Sequence, residues 1–130
     1  MNSDRKFLIE SDIIISHFTQ ENIEAPSDLI KLMQTGICFT TVINAAELLF
    51  EAANDHQKEI VLKVLNSFKV LGLNSRYALK IPEYKNQAKT LRDILILMTA
   101  KTNNLPIVTY QKSKYSLSDA EIYNPEEIGG

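Results

Sequence analysis

The stretch Lys6-Phe-Leu-Ile-Glu-Ser-Asp-Ile-Ile-Ile-Ser-His-Phe-Thr19 decides the fold of this chain. Its first four residues, Lys6 to Ile9, predict a short buried strand. The apolar residues that follow predict a helix from about Ser11 to Thr19. The stretch therefore predicts a strand that passes almost directly into a helix, with polar and acidic side chains at the junction.

Short apolar strands alternate with helices along the rest of the chain. We predict further strands at 37–40, 69–73, 105–109 and 120–123, and helices at 28–34, 42–53, 55–68, 76–81 and 91–102. Pro82 is expected to break or bend the helix that begins at Arg76, and 126–130 to form a frayed tail. The alternation predicts an α/β domain with three layers, in which a short central parallel sheet is flanked by helices on both faces.

Length and composition limit the class of protein. The 130 residues, 45% of them hydrophobic and 23% charged, are typical of one globular domain, which we expect to span 1–130. No apolar run approaches the length of a membrane span, and no signal peptide is expected at the polar N-terminus. The single cysteine, Cys38, excludes an internal disulfide and fits a cytoplasmic location. The net charge of −2 argues against broad, non-specific phosphate binding.

Four carboxylates stand where a parallel sheet would bring them together. Glu10 and Asp12 follow the first strand, Glu47 lies in the helix after the second, and Asp93 opens an apolar helix before the fourth. Ligands bind at the carboxyl ends of such strands. A charge on an apolar helix face is costly to bury unless it is paired or binds a cation. Converging carboxylates suit Mg²⁺ or Mn²⁺, and we expect them to raise one another's pKa.

Four blocks of the chain form a pattern in a fixed order. They are Phe7-Leu-Ile-Glu-Ser-Asp-Ile-Ile-Ile-Ser-His-Phe18, Thr41-Val-Ile-Asn-Ala-Ala-Glu-Leu-Leu-Phe50, Arg92-Asp-Ile-Leu-Ile-Leu-Met-Thr-Ala100 and Leu105-Pro-Ile-Val-Thr109, and the ending Tyr123-Asn-Pro125 follows them. Together they resemble the PIN-domain family, and most of all the VapC-type toxins of toxin–antitoxin pairs. The resemblance implies metal-dependent hydrolysis of RNA, a cognate antitoxin and a homodimer. The apolar stripe of helix 55–68 would form the dimer contact or, equally, belong to the core.

The resemblance also implies roles for particular residues. Its catalytic acids fall on Glu10, Glu47 and Asp93, and together with Asp12 these would hold Mg²⁺ or Mn²⁺. The hydroxyls and the amide that would orient the carboxylates are those of Ser11, Thr41, Thr109 and Gln111. The cations that flank the site and would hold RNA phosphates are Arg92, Lys112 and Lys114; equally, they would be solvated charges.

Two departures from the family pattern lower the expected activity. The family has aspartate as its first acid, where this chain has Glu10, and an acidic position after the fourth strand is taken by Tyr110 and Gln111. The longer Glu10 would shift a metal that demands near-ideal geometry, and Gln111 brings no charge. Asp12 would then restore the missing charge. We therefore expect a slow nuclease or none.

Two alternatives stay open at the level of sequence. The first is a catalytically inactive PIN-like domain that binds RNA or a protein partner. The second is a small α/β binding or signalling domain with structural carboxylates, in which Ser11 and Asp12 only cap a helix and Asp93 only complements a helix dipole.

Overall fold

Five parallel strands form one sheet in the part of the chain that the structure, a computed structural model, describes: residues 5–22 and 24–128. The strands are β1 Lys6–Ile9, β2 Ile37–Thr41, β3 Lys69–Leu71, β4 Ile107–Val108 and β5 Ile122–Tyr123. Their order is β3-β2-β1-β4-β5, and every neighbouring pair is parallel. With helices on both faces, this confirms the predicted three-layer α/β fold.

The helices follow the predicted order. They are α1 Ser11–Thr19, α2 Asp28–Thr35, α3 Val42–Glu51, α4 Asp55–Leu65, α5 Tyr77–Tyr84, α6 Leu91–Thr102 and α7 Pro125–Ile128, with a 3₁₀ helix at Lys112–Tyr115. None of the helices within residues 5–22 and 24–128 is long and apolar enough to cross a membrane.

Helices α3, α4 and α5 end at other residues than predicted: α3 ends at Glu51 rather than 53, α4 at Leu65 rather than 68, and α5 at Tyr84 rather than 81. Pro82 does not break α5, because a proline removes only one intrahelical hydrogen bond and the helix ends two residues later. The predicted frayed tail begins instead with α7, in which Ile128 is buried against the core. Gly129 and Gly130 lie outside the described residues.

Alternation along the central strand supplies two apolar cores. Phe7 and Ile9 pack on one face of the sheet with α1, α2 and α4, whereas Leu8 packs on the other face with Ile96 and Leu97 of α6. Successive side chains of a strand point to opposite faces, so a strand buried on both faces is apolar throughout.

The strand order determines where a site can form. β2 and β3 extend the sheet on one side of β1, while β4 and β5 extend it on the other, so the direction of growth reverses between β1 and β4. The backbone N–H of Glu10 donates to the carbonyl of Val108 at 3.0 Å, which holds the carboxyl ends of these strands side by side. Ligand sites of open α/β sheets lie at such a reversal.

Candidate active site

Glu10 lies at the centre of a buried polar cluster. It follows β1 directly and is 1% exposed. Its Oε1 accepts a hydrogen bond from the Asn44 side-chain amide at 2.8 Å, and its Oε2 accepts one from the Tyr115 hydroxyl at 2.6 Å. A buried charge needs such partners, and the largest contribution comes from an arginine.

Arg92 lies between three carboxylates and donates all five of its N–H groups to them. Nη1 and Nη2 donate to the two oxygens of Glu10 at 2.8 and 2.7 Å. Nε and Nη2 donate to the two oxygens of Glu47, both at 2.9 Å, and Nη1 donates to Asp93 Oδ1 at 2.8 Å. Guanidinium groups form their strongest pairs in this bidentate way.

Two helix starts position these groups. Thr90 caps α6, and its hydroxyl accepts from the backbone N–H of Asp93 at 3.1 Å, so that Arg92 and Asp93 lie on the first turn. Thr41 caps α3 in a capping box with Asn44. This box directs the Asn44 amide to Glu10 and to the Ser11 hydroxyl.

Ser11 completes the link between the first and third helices. Its hydroxyl donates to Glu47 Oε1 at 2.8 Å and accepts from Asn44 at 2.8 Å. The side chain of Glu47 is 40% exposed, so this carboxylate lies at the rim of the cluster and Glu10 lies at its bottom.

The pKa values of the two glutamates are lowered overall, although the charge of Glu10 raises the pKa of Glu47 as expected. Burial alone would raise the pKa of Glu10, but the hydrogen bonds and charge of Arg92, with Tyr115 and Asn44, hold it below 4.5. The hydrogen bonds from Arg92 lower the pKa of Glu47, against the smaller effect of burial. The cation between the carboxylates outweighs their repulsion, and both are ionised at neutral pH.

The partners of Glu10 have raised pKa values. Burial would lower the pKa of Arg92, but its hydrogen bonds to Glu47 and Glu10 raise it. Burial and the charge of Glu10 raise the pKa of the Tyr115 hydroxyl. The cluster is therefore a guanidinium, three carboxylates and a neutral phenol.

Asp12 lies apart from this cluster. Its Oδ2 accepts from the Thr109 hydroxyl at 2.7 Å and from the backbone N–H of Tyr110 at 3.0 Å. No hydrogen bond among the described residues joins it to Glu10, Glu47 or Asp93, and its Oδ1 is buried without a partner there. The structure thus ties Asp12 to the end of β4.

The other residues predicted for the site lie at its margin or elsewhere. Gln111 donates its backbone N–H to the Thr109 hydroxyl at 3.1 Å. Lys112 pairs with Glu127 of α7 at 2.8 Å, and Lys114 donates its backbone N–H to the Gln111 carbonyl within the 3₁₀ turn. Of the three predicted phosphate-binding cations, only Arg92 contacts the acidic cluster among the described residues, and it does so as an ion-pair partner.

Sequence reasoning missed Asn44 and Tyr115. The signal for Asn44 was present, because a threonine followed three residues later by a residue with a side-chain acceptor is the pattern of a capping box. Tyr115 comes from a short 3₁₀ turn without a distinctive pattern, 105 residues from Glu10 along the chain.

The chemistry of the three carboxylates suits a divalent cation, and the guanidinium shows that positive charge is stabilised between them. As arranged, however, their oxygens are committed to Arg92. Within residues 5–22 and 24–128, no three His, Cys, Asp or Glu side chains form a group that could hold a metal ion. In this arrangement the cluster binds a guanidinium, and a divalent ion on the same oxygens would require Arg92 to move away.

This arrangement of fold and acids places the chain in a known class. A family model described as the PIN domain matches residues 7–116. The chain belongs to the PIN domain family, whose members are in general nucleases that depend on a divalent metal ion. Among curated proteins, none matches the chain.

Solved structures with the same fold come from toxin–antitoxin complexes. VapBC-1 from nontypeable Haemophilus influenzae has a TM-score of 0.75 at 15% identity, covering 93% of this chain and 98% of that one. VapBC2 from Rickettsia felis, bound to a DNA fragment from its promoter, has a TM-score of 0.73 at 15% identity, covering 92% and 98%. FitAcB from Neisseria gonorrhoeae has a TM-score of 0.67 at 18% identity, also covering 92% and 98%. At these identities the likeness shows the fold.

Proposed function

We propose that this chain is a slow, divalent-metal-dependent ribonuclease that forms the toxin half of a toxin–antitoxin pair. One observation carries the proposal: Glu10, Glu47 and Asp93, from three separate parts of a PIN domain, surround one cation at the carboxyl end of the parallel sheet. The likeness in fold to VapBC complexes supports the antitoxin partner.

The same three carboxylates would hold Mg²⁺ or Mn²⁺. When bound, such an ion polarises a phosphate and lowers the pKa of a bound water. The protein's own part is to fix the charges: Asn44 and Tyr115 hold Glu10, and Ser11 holds Glu47. Thr41 acts through Asn44, with which it forms the capping box at the start of α3. The free oxygen of Asp12 would add negative charge from the β4 side, with Thr109 orienting that carboxylate.

The low rate follows from two positions. Glu10 carries one methylene more than aspartate, and a displacement on the order of 1 Å can cost ~100-fold in rate. Gln111 is neutral where the resemblance expects an acid, so the protein would supply less negative charge to hold a second metal ion.

The test is to restore both positions. The double variant Glu10→Asp with Gln111→Asp should cleave a structured RNA in Mn²⁺ faster than wild type, by about 10- to 100-fold in single-turnover assays. Asp93→Asn should abolish the cleavage. Lys101→Ala is the control on the same helix, because its ion pair with the exposed Asp119 lies outside the site. Robust wild-type cleavage that the double change leaves unaltered would contradict the slow, incomplete site.

The remaining partners are proposals of the same kind. The free thiol of Cys38 is buried and compatible with a reducing cytoplasm, where RNA is available.

A homodimer is supported by the apolar side chains exposed at the end of α3 and on α4, namely Phe50, Ile60 and Leu62. A monomeric mass by light scattering would contradict the dimer.

A catalytically inactive PIN domain that binds RNA or a protein is the second candidate. The Arg92 network favours it, because the carboxylates are paired with a cationic side chain without any metal ion. Binding of RNA without cleavage, by both wild type and the Glu10→Asp, Gln111→Asp variant, would establish this candidate over the first.

A further inference from the structure

We propose that Arg92 is a built-in competitor of the divalent ion, so that the chain closes its own acidic site when no metal is bound. The inference rests on the proposed function in one respect, namely that Glu10, Glu47 and Asp93 are the metal site. It adds a regulatory role for Arg92 within that site.

The oxygens that would bind the ion are those that bind the guanidinium. Arg92 contacts both oxygens of Glu10, both oxygens of Glu47 and one oxygen of Asp93. A divalent ion on these oxygens would place two like charges at contact distance in a half-buried site, where their repulsion is strong. The two cations therefore exclude one another.

Two of the three carboxylates have supports that do not involve Arg92. Glu10 keeps its hydrogen bonds to Asn44 and Tyr115, and Glu47 keeps its hydrogen bond to Ser11. The Asp93 side chain is bonded to Arg92, and its backbone is fixed on the first turn of α6 by the Thr90 cap. Departure of the guanidinium would thus leave Glu10 and Glu47 held and the Asp93 carboxylate beside them.

Arg92 has a path to solvent. Its side chain is 26% exposed, against 1% for Glu10 and 8% for Asp93, and Glu47 at the rim is 40% exposed. Its neighbour Leu91 is 61% exposed, so the first turn of α6 borders solvent. The long side chain of Arg92 can therefore turn outward while the buried Glu10 and Asp93 stay, once a competing cation replaces its hydrogen bonds.

The closed state stabilises the protein without metal. Removing one partner of a buried ion pair leaves an uncompensated charge and is strongly destabilising. An ion must therefore displace a well-bound guanidinium, and its affinity for the wild-type chain is reduced by the cost of that displacement.

The experiment measures Mn²⁺ binding in the absence of RNA. Isothermal titration is carried out on the full wild-type chain, Arg92→Ala, Arg92→Lys and the control Lys101→Ala. We expect Arg92→Ala to bind Mn²⁺ on the order of 10- to 100-fold more tightly than wild type. Arg92→Lys should lie between them, because lysine keeps the charge but not the bidentate contacts. Lys101→Ala should match wild type.

Thermal melts provide a second measurement. If Arg92→Ala folds poorly, the melts of Arg92→Lys still test the inference. In chelator the Arg92 variants should melt below wild type, and Mn²⁺ should raise their melting temperature more than it raises that of wild type. Equal Mn²⁺ affinity in wild type and both variants would overturn the inference, as would no binding by any of them.

Failure of the inference and failure of the proposed function give different results. A wild-type chain that cleaves RNA and binds Mn²⁺ as tightly as Arg92→Ala refutes the competitor and leaves the nuclease. A chain whose Mn²⁺ affinity rises on loss of Arg92, but which cleaves no RNA in either form, supports the competitor and refutes the nuclease.

Discussion

At the scale of single residues, the guanidinium of Arg92 pairs with three carboxylates of the site. A carboxylate on an apolar helix face must be paired or bind a cation, and that argument singled out Glu47 and Asp93. It does not choose between a metal ion and a side chain. Arg92 satisfies the requirement internally, and its contact with Glu10 joins residues 82 positions apart, which spacing along the chain does not reveal.

The pH dependence of stability tests the Arg92 network. In chelator, the pairing with Arg92 holds the pKa values of Glu10 and Glu47 below their unfolded values in the folded wild-type chain, so the unfolded chain binds more protons at acid pH. The free energy of unfolding should be fully developed above the ordinary glutamate pKa of about 4.3 and should fall as the pH drops through that value toward the lowered pKa values.

Arg92→Ala should reverse the direction in which Glu10 makes the free energy of unfolding depend on pH. Burial then acts on this carboxyl with its main counter-charge removed, and raises its folded pKa above the unfolded value. A raised pKa contributes stability that is lost as pH rises. Urea unfolding across a series of pH values measures both curves, with Lys101→Ala as the control. Parallel curves for wild type and Arg92→Ala would show that Arg92 is not the main partner of Glu10.

At the scale of elements, the bounds of β1, α1 and α6 match their predictions, because a strand–acid–helix junction and a capping threonine mark them clearly. The ends of α4 and β4 do not match. Phe68 continues the apolar stripe of α4 and is buried, but the helix ends at Leu65 and a turn carries Phe68 into the core. Leu105 is likewise buried outside β4. Burial pattern alone does not separate a helix or strand end from a turn that packs against it.

The connection between α2 and β2 requires a residue without a side chain at Gly36. It joins α2 to β2, and a Cβ there would lie 2.6 Å from the Arg5 carbonyl oxygen and 2.8 Å from the Phe7 ring. That carbonyl accepts from Ile37 at 2.9 Å at the start of the β1–β2 pairing. Gly36→Ala should lower the free energy of unfolding by about 1–3 kcal/mol.

Gly72 provides the matched control for this substitution. Nothing lies within 4 Å of a Cβ added there, so Gly72→Ala should change stability by no more than ~0.5 kcal/mol. Urea denaturation measures both variants. Equal stabilities would mean that the backbone around Gly36 gives way to the methyl group without loss.

At the scale of the whole molecule, the strand–helix alternation was enough to predict a parallel three-layer fold and the edge at which its site forms. The order β3-β2-β1-β4-β5 brings Glu10 beside the end of β4. The 3₁₀ turn that delivers Tyr115 and the pairing of Arg92 depend on how the whole chain packs, and no local pattern encodes them. The fold was therefore more predictable than the detailed chemistry of the site.

The long-range contacts of Arg92 bear on the rates of folding. Its contacts with Glu10 and Glu47 close loops of 82 and 45 residues. Such contacts are expected to form late in folding, because closing a long loop costs chain entropy before the contact can stabilise the structure. Interactions absent from the transition state slow unfolding and hardly affect refolding. In chelator, stopped-flow measurements on Arg92→Ala should therefore show faster unfolding at a nearly unchanged refolding rate. A variant that refolds slowly and unfolds at the wild-type rate would place the network in the folding nucleus. On this view Arg92 also acts as a kinetic clamp, and it lengthens the lifetime of the folded chain for as long as it remains between the carboxylates.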